Sequence, residues 1–562
     1  MKKYSLFLLL TIVLASCMSK KQEMTSTEPS NKVPFVWENA NIYFLLTDRF
    51  NNGDTSNDLN FNRTKETSKL RGFEGGDIIG ITKKIEEGYF TNLGINAIWL
   101  TPIVEQIHGD VDEGTGSTYG FHGYWAKDWT ALDPNFGTKE DLKILVETAH
   151  KNSIRIVLDG VINHTGPVTE SDPVWSKDWV RTDVQCSYQD YESTVMCSLV
   201  KNLPDIKTES NENVEIPAAL AEKWKAEGRY EQEMKELDAF FARTGYPKAP
   251  RFYIMKWLTD YITEFGIDGY RADTVKHTEE SVWGEFKKEC DYAFAEWKKN
   301  NPDKVLDDNN FYMVGEIYNY GINGGLSFDF GDKKVNYFEN GFQSLINFDF
   351  KWNAAQNSYE ELFSTYSNIL GNQLKGFGVL NYVSSHDDGS PFDKERTKPF
   401  ESATKLLLCP GASQVYYGDE SARSLIIEGT VGDATLRSNM NWDEIANNQQ
   451  TKDVLTHWQK LGKFRINHPS VGAGVHKMLS EKPYVFERAY SKGAFSDAVV
   501  IGLDVPEGEK ELTVGTIFKD GDELGKLKIG SQVDVYLERI ESFKGEIVIS
   551  RDKAKKMQAW KK

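Results

Sequence analysis

Eight short β-rich runs, separated mostly by amphipathic stretches, constrain this chain more than any other feature. They are "NIYFLLT" (41–47), "AIWLT" (97–101), "IRIVLD" (154–159), "DGYRAD" (268–273), "FYMVGE" (311–316), "LINFDF" (345–350), "VLNYVSS" (379–385) and "SQVYYG" (413–418). Short, largely apolar runs of this kind read as strands covered on both faces. Between them, "ITKKIEEGYFTNLG", "TKEDLKILVETAHKN", "FYIMKWLTDYITEFG", "EESVWGEFKKECDYAFAEWKKN" and "SATKLLLC" carry apolar residues at i, i+3, i+4, the spacing of a helix with one buried face. This βα repetition predicts an α/β fold, a (β/α)8 TIM barrel with insertions. A doubly wound open sheet is the alternative, but no Gly-rich dinucleotide loop follows the first strand.

Two regions break the rhythm. Between the third strand and a helix starting near Arg251 lies a long polar stretch followed by the helical "IPAALAEKWKAEGRYEQEMKELDAFFARTG", with a Leu220, Trp224, Met234, Leu237, Phe241 stripe. We expect an inserted unit at 167–250 over the barrel mouth, with the barrel itself formed by 36–166 and 251–470. After residue 470 only β runs remain, "YVFERAY", "AVVIGLDV", "ELTVGTIF", "SQVDVYLERI" and "EIVISRD" between Gly, Lys and Asp turns, which predicts a C-terminal β-sandwich at 471–562. At the other end, Lys2 and Lys3 precede an apolar run from Leu6 to Leu14, then Ala15, Ser16 and Cys17, the layout of a secretory signal over 1–17. Leu14-Ala15-Ser16-Cys17 resembles a bacterial lipobox, which implies lipidation of Cys17 and a body tied to a membrane of the cell envelope. Residues 18–35 read as a polar, flexible tether. In an exported chain, Cys186 and Cys197, eleven apart, can oxidise to a disulfide, while Cys290 and Cys409 fall in apolar-periodic segments and read as buried thiols.

Barrel strands deliver the side chains at their C-terminal ends to one mouth, so charges that interrupt apolar strands there are the ones to collect. They are Asp159 with Asn163 and His164, Arg271 with Asp273, Glu316, and His386 with Asp387. Any one of these could be a turn or cap residue. As a set they would leave several unpaired charges together, which costs several kcal/mol unless the set has work to do. Composition narrows that work. A formal charge of −18 repels phosphate backbones and argues against a nucleic-acid partner, while 14 Trp and 25 Tyr supply flat faces with polar rims that suit sugar rings.

"LDGVINH", "GYRAD", "VGEIY" and "VSSHDD" resemble, in order and spacing, the four signature regions of the α-amylase family, glycoside hydrolase family 13. "LPDIKTES", "VWSKDWVRTD" and "DAFFARTGYP" look like its bacterial periplasmic branch. The resemblance implies a barrel with an inserted domain B and an all-β domain C. It also implies hydrolysis of α-1,4-glucosidic bonds in starch or maltooligosaccharides with retention: Asp273 as nucleophile, Glu316 as general acid/base and Asp387 as the third carboxylate. Retention needs two carboxyl groups about 5 to 5.5 Å apart, one ionised and one protonated. Arg271, two residues from Asp273 along one strand, would keep it ionised, and Glu316, with no cation beside it in sequence, is free to hold a proton. Tyr124 in "FHGYW" matches the family's stacking residue, His164, Arg271 and His386 its sugar-binding positions, and Lys276 and His277 its leaving-group side.

The loop "DRFNNGDTSND" with "GGD" at 75–77 resembles the family's calcium loop and implies Ca²⁺ held by Asn52, Asp54, Asn57, Asp58, Gly75 and Asp77; hard oxygen donors suit that ion. A second ion would use Asn163, Asp205 and the carbonyl of His277. An α-glucan transglycosylase or cyclomaltodextrinase-like enzyme would share these catalytic residues, and a non-catalytic glucan-binding lipoprotein is the reading from another class. Oligomeric state is not legible.

Overall fold

The computed structural model describes residues 33–503 and the backbone of four later strands; the signal segment with Cys17, and the tether as far as residue 32, lie outside the described residues. All eight runs form strands: β1 (Asn41–Leu45), β2 (Ala97–Leu100), β3 (Arg155–Gly160), β4 (Gly269–Ala272), β5 (Tyr312–Gly315), β6 (Ser344–Asn347), β7 (Gly378–Tyr382) and β8 (Ala412–Tyr416). Each pairs in parallel with its neighbours in sequence, and β8 closes on β1 to complete the barrel. Every residue of these strands is buried, because side chains fill the interior on one face and helices cover the other.

The predicted helical stretches form helices, and two more, Tyr359–Gly371 and Gln449–Asn467, appear that the apolar spacing had not singled out. The helices include α1 (Ile78–Glu86), α2 (Lys139–Lys151), α3 (Ala218–Ala226), α4 (Tyr230–Thr244), α5 (Pro250–Phe265), α6 (Glu280–Asn300), α7 (Tyr359–Gly371), α8 (Pro399–Leu408) and α9 (Gln449–Asn467). Local chemistry sets their ends. Thr138 and Asp141 form a capping box at the start of α2, and Pro250 opens α5. Gly266 closes α5 at φ 75°, and a Cβ there would come within 2.0 Å of the Trp297 ring, so both backbone and packing demand glycine. Gly88 splits the first helical stretch, whose second part is Tyr89–Leu93.

Residues 161–249 contain α3 and α4 and are locked to the barrel by aromatic packing. Trp179 and Trp257 of α5 are buried and parallel, centroids 6.1 Å apart, and Leu220, Trp224, Leu237 and Phe241 join the main core with Met234 at its edge. Cys186 and Cys197 are disulfide-bonded; Cys290 and Cys409 are buried free thiols. Beyond the barrel come only strands: β9 (Val475–Ser480), β10 (Tyr484–Lys492), β11 (Phe495–Leu503), β12 (Lys510–Thr513), β13 (Leu524–Ile529), β14 (Asp534–Arg539) and β15 (Glu546–Ile549). They form a five-stranded antiparallel sheet, β9-β10-β11-β14-β13, and a two-stranded ladder, β12-β15.

Candidate active site

Strand register brings the charged groups together. Arg271 on β4 lies level with Asp159 on β3 and Val314 on β5, so its side chain enters the barrel mouth beside both neighbours. Its Nη1 donates to Asp159 Oδ1 (2.9 Å) and Oδ2 (3.1 Å) and to Asp273 Oδ1 (2.7 Å), while Nη2 lies 2.8 Å from Glu316 Oε1. One buried guanidinium thus faces three buried carboxyl groups. The excess negative charge favours a bound proton. Burial pushes Glu316 up to about 8, with Asp273 and Asp387 adding to the rise and Arg271 opposing it. Burial likewise raises Asp159 to about 7 against the pull of Arg271. Glu316 has no cation beside it in sequence, but the fold gives it Arg271; its pKa rises as expected because burial with two nearby carboxylates outweighs that cation.

The chain leaves β4 through a constrained turn. Thr274 sits at φ 47°, ψ 41°, a conformation that costs a β-branched residue of the order of 1 kcal/mol or more. This turn aims the Thr274 N–H at Glu316 Oε2 (2.9 Å), and the Val275 N–H donates to the Glu316 carbonyl (2.9 Å). The backbone following Asp273 therefore fixes the Glu316 side chain as well as its main chain.

Around this centre stand the remaining expected residues. The Tyr124 hydroxyl donates to Asp159 Oδ2 (2.9 Å), and its ring lies parallel to that of His386 with centroids 5.3 Å apart. His164 Nε2 donates to the Tyr124 carbonyl (3.1 Å). Burial lowers the pKa of His164 and drives that of His386 well down, so both rings are neutral hydrogen-bonding groups at pH 7. Asp387 stands at the rim with a third of its side chain accessible, 34%, beside Ser385. Lys276 is half-buried and donates to the Tyr318 carbonyl (3.3 Å); His277 is buried and its Nδ1 donates to the Thr194 carbonyl (2.8 Å). Sequence reasoning missed His122, whose Nδ1 accepts from the Tyr124 N–H (3.0 Å), and Arg437, whose Nε donates to the His386 carbonyl (2.9 Å). The His122 signal was available, two residues from Tyr124. Arg437 ends the short 3-10 helix Gly432–Arg437, which has no apolar periodicity to mark it, so only folding reveals it.

The expected metal-ligand sets are mixed. Among the described residues no cluster of three or more His, Cys, Asp or Glu could hold a metal, so any site must draw on amides and carbonyls. The first loop offers such atoms: Asn57 Oδ1 is buried without a partner, and a Cβ on Gly75 (φ 90°) would come within 2.4 Å of Asn52 Nδ2 and 2.7 Å of Asp58 Oδ1. Asp77 and Asp54 also tie down the loop, with lone pairs to spare. Asp77 accepts from the N–H groups of Gly53, Asp54 and Gly80 and caps α1, while Asp54 accepts from Ser56. At the second set, Asp205 Oδ1 is buried without a partner, and the carbonyl of Asn163 accepts from Ile206 N–H (2.8 Å). Orphaned hard oxygens at both places fit a calcium ion.

Comparison with known proteins agrees with this geometry. The family model for the α-amylase catalytic domain matches residues 44–465. The periplasmic α-amylase of Escherichia coli (strain K12) is 35% identical over 529 residues, covering 82% of this chain and 72% of that protein. Cyclomaltodextrin glucanotransferase of Thermoanaerobacterium thermosulfurigenes is 25% identical over 516 residues, covering 87% of this chain and 63% of that longer protein. Among solved structures, an Anoxybacillus α-amylase shares the fold with a TM-score of 0.60 at 24% identity, across 93% of this chain and all (100%) of that one. A closed parallel barrel with acid side chains gathered at its mouth, and a family match over most of its length, place the chain in the α-amylase family, glycoside hydrolase family 13.

Proposed function

We propose that this glycoside hydrolase is an exported α-amylase that cleaves α-1,4-glucosidic bonds of starch or maltooligosaccharides by double displacement. The observation that carries the reading is the Arg271 guanidinium with Asp273 on one nitrogen and Glu316 on the other. Asp273, ion-paired at 2.7 Å, attacks the anomeric carbon as a carboxylate. Glu316, its proton favoured by burial, protonates the departing glycosidic oxygen and then takes a proton from the water that releases the glycosyl-enzyme. Asp387 holds ring hydroxyls, Tyr124 stacks under the sugar undergoing cleavage, and His164 and His386 donate hydrogen bonds without adding charge. Lys276 and His277 face the leaving group. The same assignments divide the chain into a barrel (36–166 and 251–470), domain B (167–250) and domain C (471–562).

Incubation with maltoheptaose tests this: α-anomeric maltooligosaccharides shorter than the substrate are expected by chromatography and proton NMR. β-Anomeric products would refute retention. Oligomers longer than the substrate as the main products would favour the transglycosylase reading, toward which the glucanotransferase relatives point.

Export is supported by the periplasmic relative, and anchoring to the cell envelope by Cys17 in its lipobox-like setting. Calcium would be held by Asn52, Asp54, Asn57, Asp58, Gly75 and Asp77 at one place, and by Asn163, Asp205 and the His277 carbonyl at the other. Bound there, the ion supplies charge neutralisation and cross-links loops to the barrel. Chelation followed by calorimetry is expected to lower the melting temperature by roughly 5 °C, reversed by added Ca²⁺, as mass action predicts for two ions each near 100 times its Kd. A melting curve unmoved by either step counts against both sites.

A further inference from the structure

We propose that the disulfide-closed loop 186–197 positions the leaving-group side of the cleft, so that the Cys186–Cys197 bond governs how well long α-glucans are handled but not the cleavage chemistry. The proposal rests on the glycosidase reading above. The base of the loop is closed twice, by the disulfide and by the Cys186 N–H donating to the Ser198 carbonyl (3.0 Å). Its interior reaches two separate parts of the active-site rim. On one side the Thr194 carbonyl accepts from His277 Nδ1 (2.8 Å), and the Tyr188 ring stands edge-on to His277 with centroids 5.8 Å apart. On the other, the Tyr191 N–H donates to Asp332 Oδ1 (2.9 Å), and its ring meets Phe330 edge-on at 5.1 Å. The Tyr191 hydroxyl also donates to Glu280.

The loop is therefore a strap between the segment that follows Asp273 and the hairpin Phe328–Val335 that follows Glu316. Neither carboxyl group touches it. What it does hold is Tyr188, 53% exposed at φ 57°, whose ring lies 5.9 Å from the Lys276 ammonium. A non-glycine residue at positive φ persists only when its surroundings hold it there, and the cross-link is two residues away. Opening the disulfide frees a loop that a sugar chain must then order on binding, a cost that appears in affinity rather than in bond breaking.

The experiment compares α-maltosyl fluoride, whose small leaving group requires no sugar on that side, with maltoheptaose. Enzymes are the wild type, the Cys186→Ser/Cys197→Ser variant, and wild type reduced with dithiothreitol, which turns the disulfide into two thiols while the reagent closes to its own cyclic disulfide. With the disulfide open, kcat/KM on maltoheptaose is expected to fall about tenfold, mainly through KM, while fluoride hydrolysis stays within about twofold. Reoxidation should restore the wild-type value. Equal losses on both substrates, or no loss on either, would overturn the proposal. Reduced wild type provides the same readout if the double variant does not fold. Failure of the untreated wild type to hydrolyse the fluoride would instead sink the glycosidase reading.

Discussion

Asp273→Asn is expected to lower turnover on maltoheptaose and on α-maltosyl fluoride alike, by on the order of 10⁴-fold, because both substrates need the same attacking carboxylate. The amide is nearly isosteric and leaves the barrel intact, so the loss should come without a matching fall in melting temperature. Glu316→Gln separates the two roles. Maltoheptaose needs a proton on its leaving oxygen and should lose about 10³-fold, whereas fluoride departs without one and its departure should be largely spared. The pH dependence has a definite sign. With Glu316 raised to about 8, its acid form persists through neutral pH and kcat/KM falls above that value. The raised pKa also means that this group stabilises the folded protein below its unfolded pKa and that the contribution is lost as pH rises through about 8. In Glu316→Gln the alkaline limb should disappear from the residual activity. Wild-type rates in Asp273→Asn, or an unchanged alkaline limb in Glu316→Gln, would reverse these assignments.

Arg271→Leu carries the second large effect, on stability as well as rate. The guanidinium is 1% exposed and is the shared partner of Asp159, Asp273 and Glu316. Its loss leaves buried carboxyl groups without a counter-charge, and breaking such a set costs about 3–5 kcal/mol. Denaturant melts should show that loss near pH 7 and a smaller one at acid pH, where the carboxyl groups bind protons. Arg271→Lys keeps the charge but not the two-pronged geometry, so it should recover part of the stability and little of the rate. A variant Arg271→Leu with wild-type stability would mean that the three acids are not held as the distances indicate.

Much of this was legible in the sequence, for a physical reason. Strands buried on both faces must be nearly continuous apolar runs, so all eight barrel strands stood out, and the charges that ended them marked the mouth. The strand β9 escaped notice because it is largely exposed and "VHKMLS" carries little apolar signal. The two-part first helix was read as one, since periodicity continues across Gly88 while the backbone does not.

Sequence alone determined the barrel, the all-β C-terminal sheet, and which acids and histidines lie at strand ends, because periodicity and strand direction are local properties. Tertiary structure decided how those groups share charge. Whether Glu316 meets a cation depends on register between β4 and β5 and on burial, neither visible in its neighbours along the chain. Tertiary structure also recruited Arg437 from the short 3-10 helix Gly432–Arg437 and set the 186–197 loop against both sides of the cleft. Electrostatic energies depend on distance and on solvent exclusion in three dimensions, and a linear order of residues specifies neither until the chain has folded.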